Sequence, residues 1–249
     1  MPNSKDLTIV LQNNNVLYDT KSYAEESFVF APFDYHEKAL CIPLKKSVFF
    51  ETEFILNTID KNDIKINEDL ETKETYCKQV KKAIGVIKSS KASKIVLSRK
   101  KEIDLKQFDI SILIKRLLNL YPTAFRYIWY HPQTGFWCGA SPEILLQTEG
   151  ISFTTMALAG TQRIKTDTVP YWNIKELNEQ KIVVDSITNS LKKITSVVRI
   201  SETYNYKAAS LVHLRTDITG TLKEEKKTLS MIASVLHPTP AVCGTPQDY

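Results

Sequence analysis

GASPEILLQTEGISFTTMALAGTQR, residues 139 to 163, decides the fold class. It reads as two apolar strands joined by a turn at Glu149-Gly150, each abutting a run of small residues. In Ser141-Pro142-Glu143 a proline and a carboxylate precede the apolar Ile144-Leu145-Leu146, which puts an acid at the mouth of a strand. Ala159-Gly160-Thr161 offers bare backbone N–H groups and a hydroxyl, which suits a small anionic or hydroxylated ligand.

Working outward, residues 124 to 130 and 135 to 138 form a hairpin around His131-Pro-Gln-Thr-Gly135. Before it, Tyr76, Val80, Ile84 and Ile87 recur at helical spacing, so residues 74 to 89 read as an amphipathic helix with lysines on its polar face. A strand follows at 94 to 103, then a helix at 109 to 120 with a Leu113, Leu117, Leu120 stripe, stopped by Tyr121-Pro122. Beyond the central stretch, a loop at 163 to 171 leads into the longest helical pattern, 173 to 194, with Leu177, Val184, Ile187, Leu191 and Ile194 on one side. Residues 210 to 222 alternate as a strand, and 223 to 236 read as a helix broken by His237-Pro238. Near the N-terminus, 7 to 11, 27 to 31, 38 to 43 and 47 to 51 are short β-prone runs that read as a meander. The charged, aperiodic stretch 57 to 73 reads as a surface excursion.

Hairpins outnumber convincing βαβ units, so an α+β fold built on antiparallel sheets is favoured over a doubly wound sheet. With 249 residues and 43% hydrophobic content, the chain can bury one substantial core. The expected organisation is one structural domain with a variable strand-rich part at 1–73 and a core at 74–249. Lys+Arg total 33 against 28 Asp+Glu, but the lysines are scattered among glutamates, so a nucleic-acid partner is not the first reading. Cys41, Cys77, Cys138 and Cys243 lack the close spacing of zinc or redox pairs and read as buried reduced thiols. There is no signal-like run, bilayer-length apolar segment, P-loop, GxGxxG or GxSxG, and a soluble cytoplasmic protein without a membrane partner is expected.

GASPEILL followed by ALAGT resembles the chorismate-binding enzymes, which include isochorismate, salicylate, anthranilate and aminodeoxychorismate synthases. Four further blocks stand in that family's order: KIVLSR at 94 to 99, KELNEQKIVVD at 175 to 185, HLRTDITGTL at 213 to 222 and HPTPAVCGTP at 237 to 246. The resemblance runs from about residue 76 to the end, with a fainter echo in FVFAPF at 28 to 33. It implies packed antiparallel sheets flanked by helices, with the active site in a cleft between layers. The implied substrate is chorismate, a small dianion whose ring hydroxyl leaves while a nucleophile adds two carbons further round the conjugated system.

On this resemblance, Lys94 matches the base that activates water, and Glu143 the acid that protonates the leaving hydroxyl. Lys94 opens an apolar strand that permits the burial such a base needs, although a lysine at a strand end ordinarily keeps its ammonium in water. A glutamate at a strand start is likewise more often solvated. Glu179 matches one of two carboxylates that hold a single Mg²⁺ against the substrate, with Glu176, one turn earlier, as a rival; a helix glutamate is otherwise a surface residue. The family's usual histidine after this ligand is Gln180 here. His213 matches a histidine near the departing hydroxyl, and a lone strand histidine is otherwise structural. Gly160 and Thr161 match the substrate-contacting loop, while Ala241, Val242 and Gly244 match the pocket wall and a turn whose backbone faces a carboxylate.

Lys94 favours isochorismate synthase, since the ammonia-using branches tend to carry glutamine there and need a glutaminase partner. Salicylate synthase is the near rival, and a non-catalytic remnant that binds chorismate weakly is the rival from another class. The product would feed menaquinone or siderophore synthesis. In the family the chain continues past the last block, supplying the second Mg²⁺ carboxylate, an arginine and a lysine for the substrate, and closing strands. The sequence ends at Tyr249, so the expectation is a C-terminally truncated, monomeric isochorismate synthase with little or no activity.

Overall fold

The computed structural model describes residues 4–34, 36–55, 70–105, 107–164, 169–223 and 229–247. The β-prone runs of the N-terminal part form β1 (Asp6–Gln12), β2 (Tyr18–Thr20), β3 (Ser27–Phe30), β4 (Ala39–Pro43) and β5 (Ser47–Glu53). They are not one meander: β1 pairs with β5 as a ribbon, and β4 lies between β2 and β3. The helical turn Leu44–Lys46, anchored by Leu44 N donating to Glu26 O at 2.9 Å, carries the chain from one sheet to the other.

The middle of the chain contributes α1 (Leu70–Lys88), β6 (Lys94–Ile95), α2 (Ile110–Leu120), β7 (Phe125–His131) and β8 (Gly135–Ser141). The half-buried stripe of α1 is Tyr76, Val80, Ala83 and Val86, while Ile84 and Ile87 are exposed. Asp109 caps α2 by accepting from the amides of Ser111 and Ile112. That helix buries Leu118 and leaves Leu120 in solvent, so its inner face is rotated from the expected stripe.

The rest folds as β9 (Gln147–Glu149), β10 (Ser152–Arg163), α3 (Ile174–Lys192), β11 (Thr195–Ile200), β12 (Tyr204–Ala208), β13 (Leu211–Leu222), α4 (Leu229–Leu236) and β14 (Gly244–Thr245). The strand expected at 94 to 103 shrinks to β6 because its partner, β14, offers only two residues for pairing. Most of the excursion expected at 57 to 73, and parts of the 163 to 171 loop and the 223 to 236 helix, lie outside the described residues.

The largest sheet runs β11-β13-β10-β9, with β12 also on β13, and every strand pairing among the described residues is antiparallel. The fold is α+β, as the hairpin-rich pattern implied. Along β13 burial alternates strictly, placing Val212, Leu214, Thr216, Ile218, Gly220 and Leu222 inward. Against that face α3 lays Val183, Ile187 and Leu191, which form a core with Phe153, Ala157, Ala159, Ile218, Ile232 and Leu236. Burial of such side chains contributes roughly 1.5–3 kcal/mol each and fixes the helix on the sheet. Leu177, expected in this stripe, is exposed.

The thiols differ from expectation: Cys41 is buried and Cys243 half-buried, but Cys77 and Cys138 are exposed. Among the described residues no helix is long and apolar enough to cross a membrane.

Candidate active site

The N-terminal half of α3 positions the first group of polar side chains. Asn173 starts the helix with a capping box: its side chain accepts from the amides of Lys175 and Glu176, and the Glu176 carboxylate accepts from Asn173 N. Glu176, the rival ligand in the sequence, is thereby engaged by the cap. One turn on, Gln180 is buried, and its Nε2 donates to Ala157 O and to Thr216 Oγ1, both at 3.1 Å. This amide ties α3 to β10 and β13 and leaves Glu179, its neighbour, directed off the edge of the packed face.

Lys94 comes from β6, a separate segment of the chain. It is 7% exposed, on a two-residue strand held by Ser93 N to Thr245 O at 2.8 Å and Val96 N to Cys243 O at 2.9 Å. Its Nζ donates to Pro240 O, lies 3.5 Å from Ala241 O, and stands 3.7 Å from Glu179 Oε1. Burial pushes this ammonium below the ordinary lysine range, against the raising influence of Glu179, Cys243 and Glu143. Burial also pushes the Cys243 thiol up, and its Sγ donates to Thr239 O at 3.0 Å.

Glu143 sits on the irregular crossover between β8 and β9, since Ile144 to Leu146 do not join a strand. Its backbone is folded onto Ser141, whose hydroxyl donates to Glu143 O and accepts from Glu143 N. Burial raises its carboxyl to about 7, opposed by the nearby Lys94 charge. An acid that holds its proton near neutrality and an amine that yields one more readily thus lie within reach of one another's charge.

A second group forms around a β-bulge. The β10–β13 register shifts between Ala159 and Thr161, and Gly160 is the extra residue, with φ 70°. A side chain there would suffer the backbone strain of that φ and crowd Trp172, 3.3 Å away. Nδ1 of His213 lies 3.2 Å from Gly160 O and 3.1 Å from Thr161 Oγ1. A carbonyl only accepts, so Nδ1 carries the hydrogen and Nε2 keeps the lone pair. Burial lowers the imidazole's pKa, only partly offset by the Gly160 bond, which favours the neutral ring.

Of the residues singled out in the sequence, Lys94, Glu143, Glu179 and Ala241 are therefore brought together. His213, Gly160 and Thr161 form a second group around the bulge: His213 projects from the face of β13 opposite the one α3 covers, while a Cβ on Gly160 would lie 3.6 Å from Cβ of Glu176 on α3. Val242 is 45% exposed and Gly244 pairs with Ile95. The turn expected to face a carboxylate through its amides uses them internally: Ala241 N donates to Thr239 Oγ1, and the amides of Val242 and Cys243 to Thr239 O. What it presents to the cleft is carbonyls, aimed at Lys94. Thr239 and Pro240 were missed as site residues, and Pro238-Thr-Pro240, a rigid pair of prolines around one hydroxyl, is the signal that marks them.

Among the described residues no group of three or more His, Cys, Asp or Glu side chains stands together to hold a metal. Glu179 alone, 26% exposed in its side chain, is a hard oxygen donor of the kind Mg²⁺ takes when waters and ligand oxygens complete its shell. A cage of protein groups is not formed there, and a shared ion with one carboxylate on the protein side fits.

The sequence profile of the family described as "Chorismate binding enzyme" matches residues 36–249. Isochorismate synthase EntC of Escherichia coli (strain K12) is 28% identical over 184 residues, 70% of this chain and 47% of that protein. Isochorismate synthase MenF of Bacillus subtilis (strain 168) is 31% identical over 216 residues, 80% of this chain and 44% of that protein. A crystal structure described as the 2,3-dihydroxybenzoate-specific isochorismate synthase DhbC from Bacillus anthracis is similar, with a TM-score of 0.68 and 25% identity, covering 89% of this chain and 63% of that one. The chain spans about half the length of the curated relatives it matches.

Proposed function

The chain belongs to the chorismate-binding enzymes, and from that premise we propose that it is part of an isochorismate synthase, a cytoplasmic isomerase acting on chorismate. The observation that carries this reading is that Lys94 and Glu143 lie within reach of one another's charge, burial lowering the proton affinity of the first and raising that of the second.

In the proposed reaction Lys94, as the amine, takes a proton from water while the water oxygen bonds to the ring carbon two positions from the departing hydroxyl. Both conjugated ring double bonds shift by one position, the carbon–hydroxyl bond breaks, and Glu143 delivers its proton to the leaving oxygen, which departs as water. One water is consumed and one released, and Lys94 and Glu143 reset by exchanging protons with solvent. Glu179 would hold one side of Mg²⁺, which supplies positive charge for the substrate carboxylate when bound. Gly160, Thr161, His213, Ala241, Val242 and Gly244 are the proposed substrate-binding residues.

The test is incubation of the purified chain with chorismate and Mg²⁺, followed by chromatography of isochorismate, salicylate and anthranilate. Isochorismate supports the reading. Salicylate as the main product would move the assignment to salicylate synthase. Chorismate binding without any product would make the chain a binding module.

A further inference from the structure

The turn that holds Lys94 is itself held by one side chain. Nζ of Lys94 has two backbone acceptors, Pro240 O and Ala241 O, and both belong to the segment following Thr239. Thr239 is 5% exposed, stands between two prolines, and organises every amide of the turn. Its Oγ1 accepts from Ala241 N at 3.3 Å, and its carbonyl accepts from Val242 N at 3.1 Å and Cys243 N at 3.2 Å. Pro238 and Pro240 each fix their own φ, and the amides of Val242 and Cys243 that follow are taken by Thr239 O, which leaves the Pro240 carbonyl to Lys94.

A lysine nitrogen is tetrahedral. When two of its positions are occupied by N–H bonds to these carbonyls, the remaining one is directed away from the turn, to the side where Glu179 Oε1 lies 3.7 Å off. The carbonyl pair therefore does more than neutralise a buried amine. It selects which direction the reactive position of that nitrogen faces, and a four-carbon side chain with free rotation could not select it alone.

We propose that Thr239 is a positioning residue, whose hydroxyl, by accepting from Ala241 N, sets the Pro240 carbonyl of the same peptide plane and so aims the Lys94 nitrogen toward Glu179. This deepens the isochorismate synthase reading and rests on it for its kinetic part only. The geometry needs the hydroxyl at this one position: valine keeps the volume but leaves Ala241 N without its acceptor, whereas serine restores it.

The experiment compares wild type, Thr239→Val and Thr239→Ser in the full chain with two readouts. The first is steady-state turnover of chorismate. Thr239→Val should lower kcat by about 10- to 100-fold, the range a small misplacement of a reacting group produces, with KM changed by less than roughly threefold, and Thr239→Ser should recover most of kcat. The second needs no turnover: acetic anhydride labelling of Lys94 at one pH, quantified by peptide mass spectrometry against exposed Lys88. Lys94 released from its carbonyls should label several-fold faster in Thr239→Val and at the wild-type rate in Thr239→Ser. An unchanged kcat, equal losses in Val and Ser, or an unchanged Lys94 labelling rate would overturn the proposal. A wild-type chain that makes no isochorismate defeats the functional reading, and the labelling comparison still decides the role of Thr239.

Discussion

Nζ of Lys94 lies 3.7 Å from Oε1 of Glu179, and the lysine side chain is 8% exposed against 26% for the glutamate. The two are contributed by β6 and α3, so their approach depends on α3 being seated on its sheet. Lys175 also reaches Glu179, at 3.3 Å, but from solvent, where such a pair contributes little.

Lys94→Gln keeps an N–H donor for the Pro240 carbonyl but removes the basic nitrogen. Water addition should fall by at least about 10²-fold. Product chromatography with chorismate checks this, and wild-type rates in the variant would remove Lys94 from the role of base.

The carboxyl of Glu143, raised to about 7, carries a pH signature in both activity and stability. Turnover that needs its proton should decline as pH rises through about 7. For stability, the native state binds this proton more tightly than the unfolded chain, so its contribution is full below the unfolded value near 4.5 and is lost as pH climbs to about 7. Urea midpoints at pH 5 and pH 8 should differ less in Glu143→Gln than in wild type. An identical pH dependence in both would count against the buried, protonated carboxyl.

Gly220 admits no side chain, because a Cβ there would stand 2.1 Å from Val197 O and 2.7 Å from the Phe153 ring. Gly220→Ala should destabilise the fold by about 1–3 kcal/mol or more, since backbone must move to relieve the contact. Urea denaturation followed by circular dichroism measures it.

Loss of the helix cap is the complementary test at the mouth of the site. Asn173→Ala should cost about 1 kcal/mol, and Asn173→Asp much less, because aspartate retains the oxygen that accepts from the amides of Lys175 and Glu176. Thermal unfolding of the three proteins under one buffer resolves the order.

If Mg²⁺ is held through Glu179, then Glu179→Gln should weaken its binding by roughly tenfold or more. Mn²⁺ titration by electron paramagnetic resonance, with chorismate present, reads this without reliance on turnover. Equal affinity in the variant would place the ion elsewhere.

Local signals were legible where local chemistry decides. The Glu149-Gly150 turn takes its positive φ from glycine, and the start of α3 at Asn173 follows from an asparagine with a glutamate three residues on. Glu179 was legible as lying at the border of the apolar face. By contrast β11 and β12 escaped notice because their mixed polar sequences become strands only by pairing with β13. The shortness of β6 depends on β14, and the carbonyls that meet Lys94 lie 146 and 147 residues away, which no pattern within a helix or strand can announce.

The bulge in β10 also bears on how long that strand needs to be. Ala159 pairs with Leu214 and Thr161 with His213, so the residues on either side of Gly160 are matched to consecutive partners. Deleting Gly160 would leave the whole ladder from Ser152 to Arg163 in step, and the sheet would lose nothing in its matching. What would vanish is the carbonyl turned toward the imidazole of His213. Gly160, the ninth residue of this strand, is therefore superfluous to the pairing, which makes a single-residue deletion a cleaner way to separate the ladder from the contact to His213 than any substitution at that point.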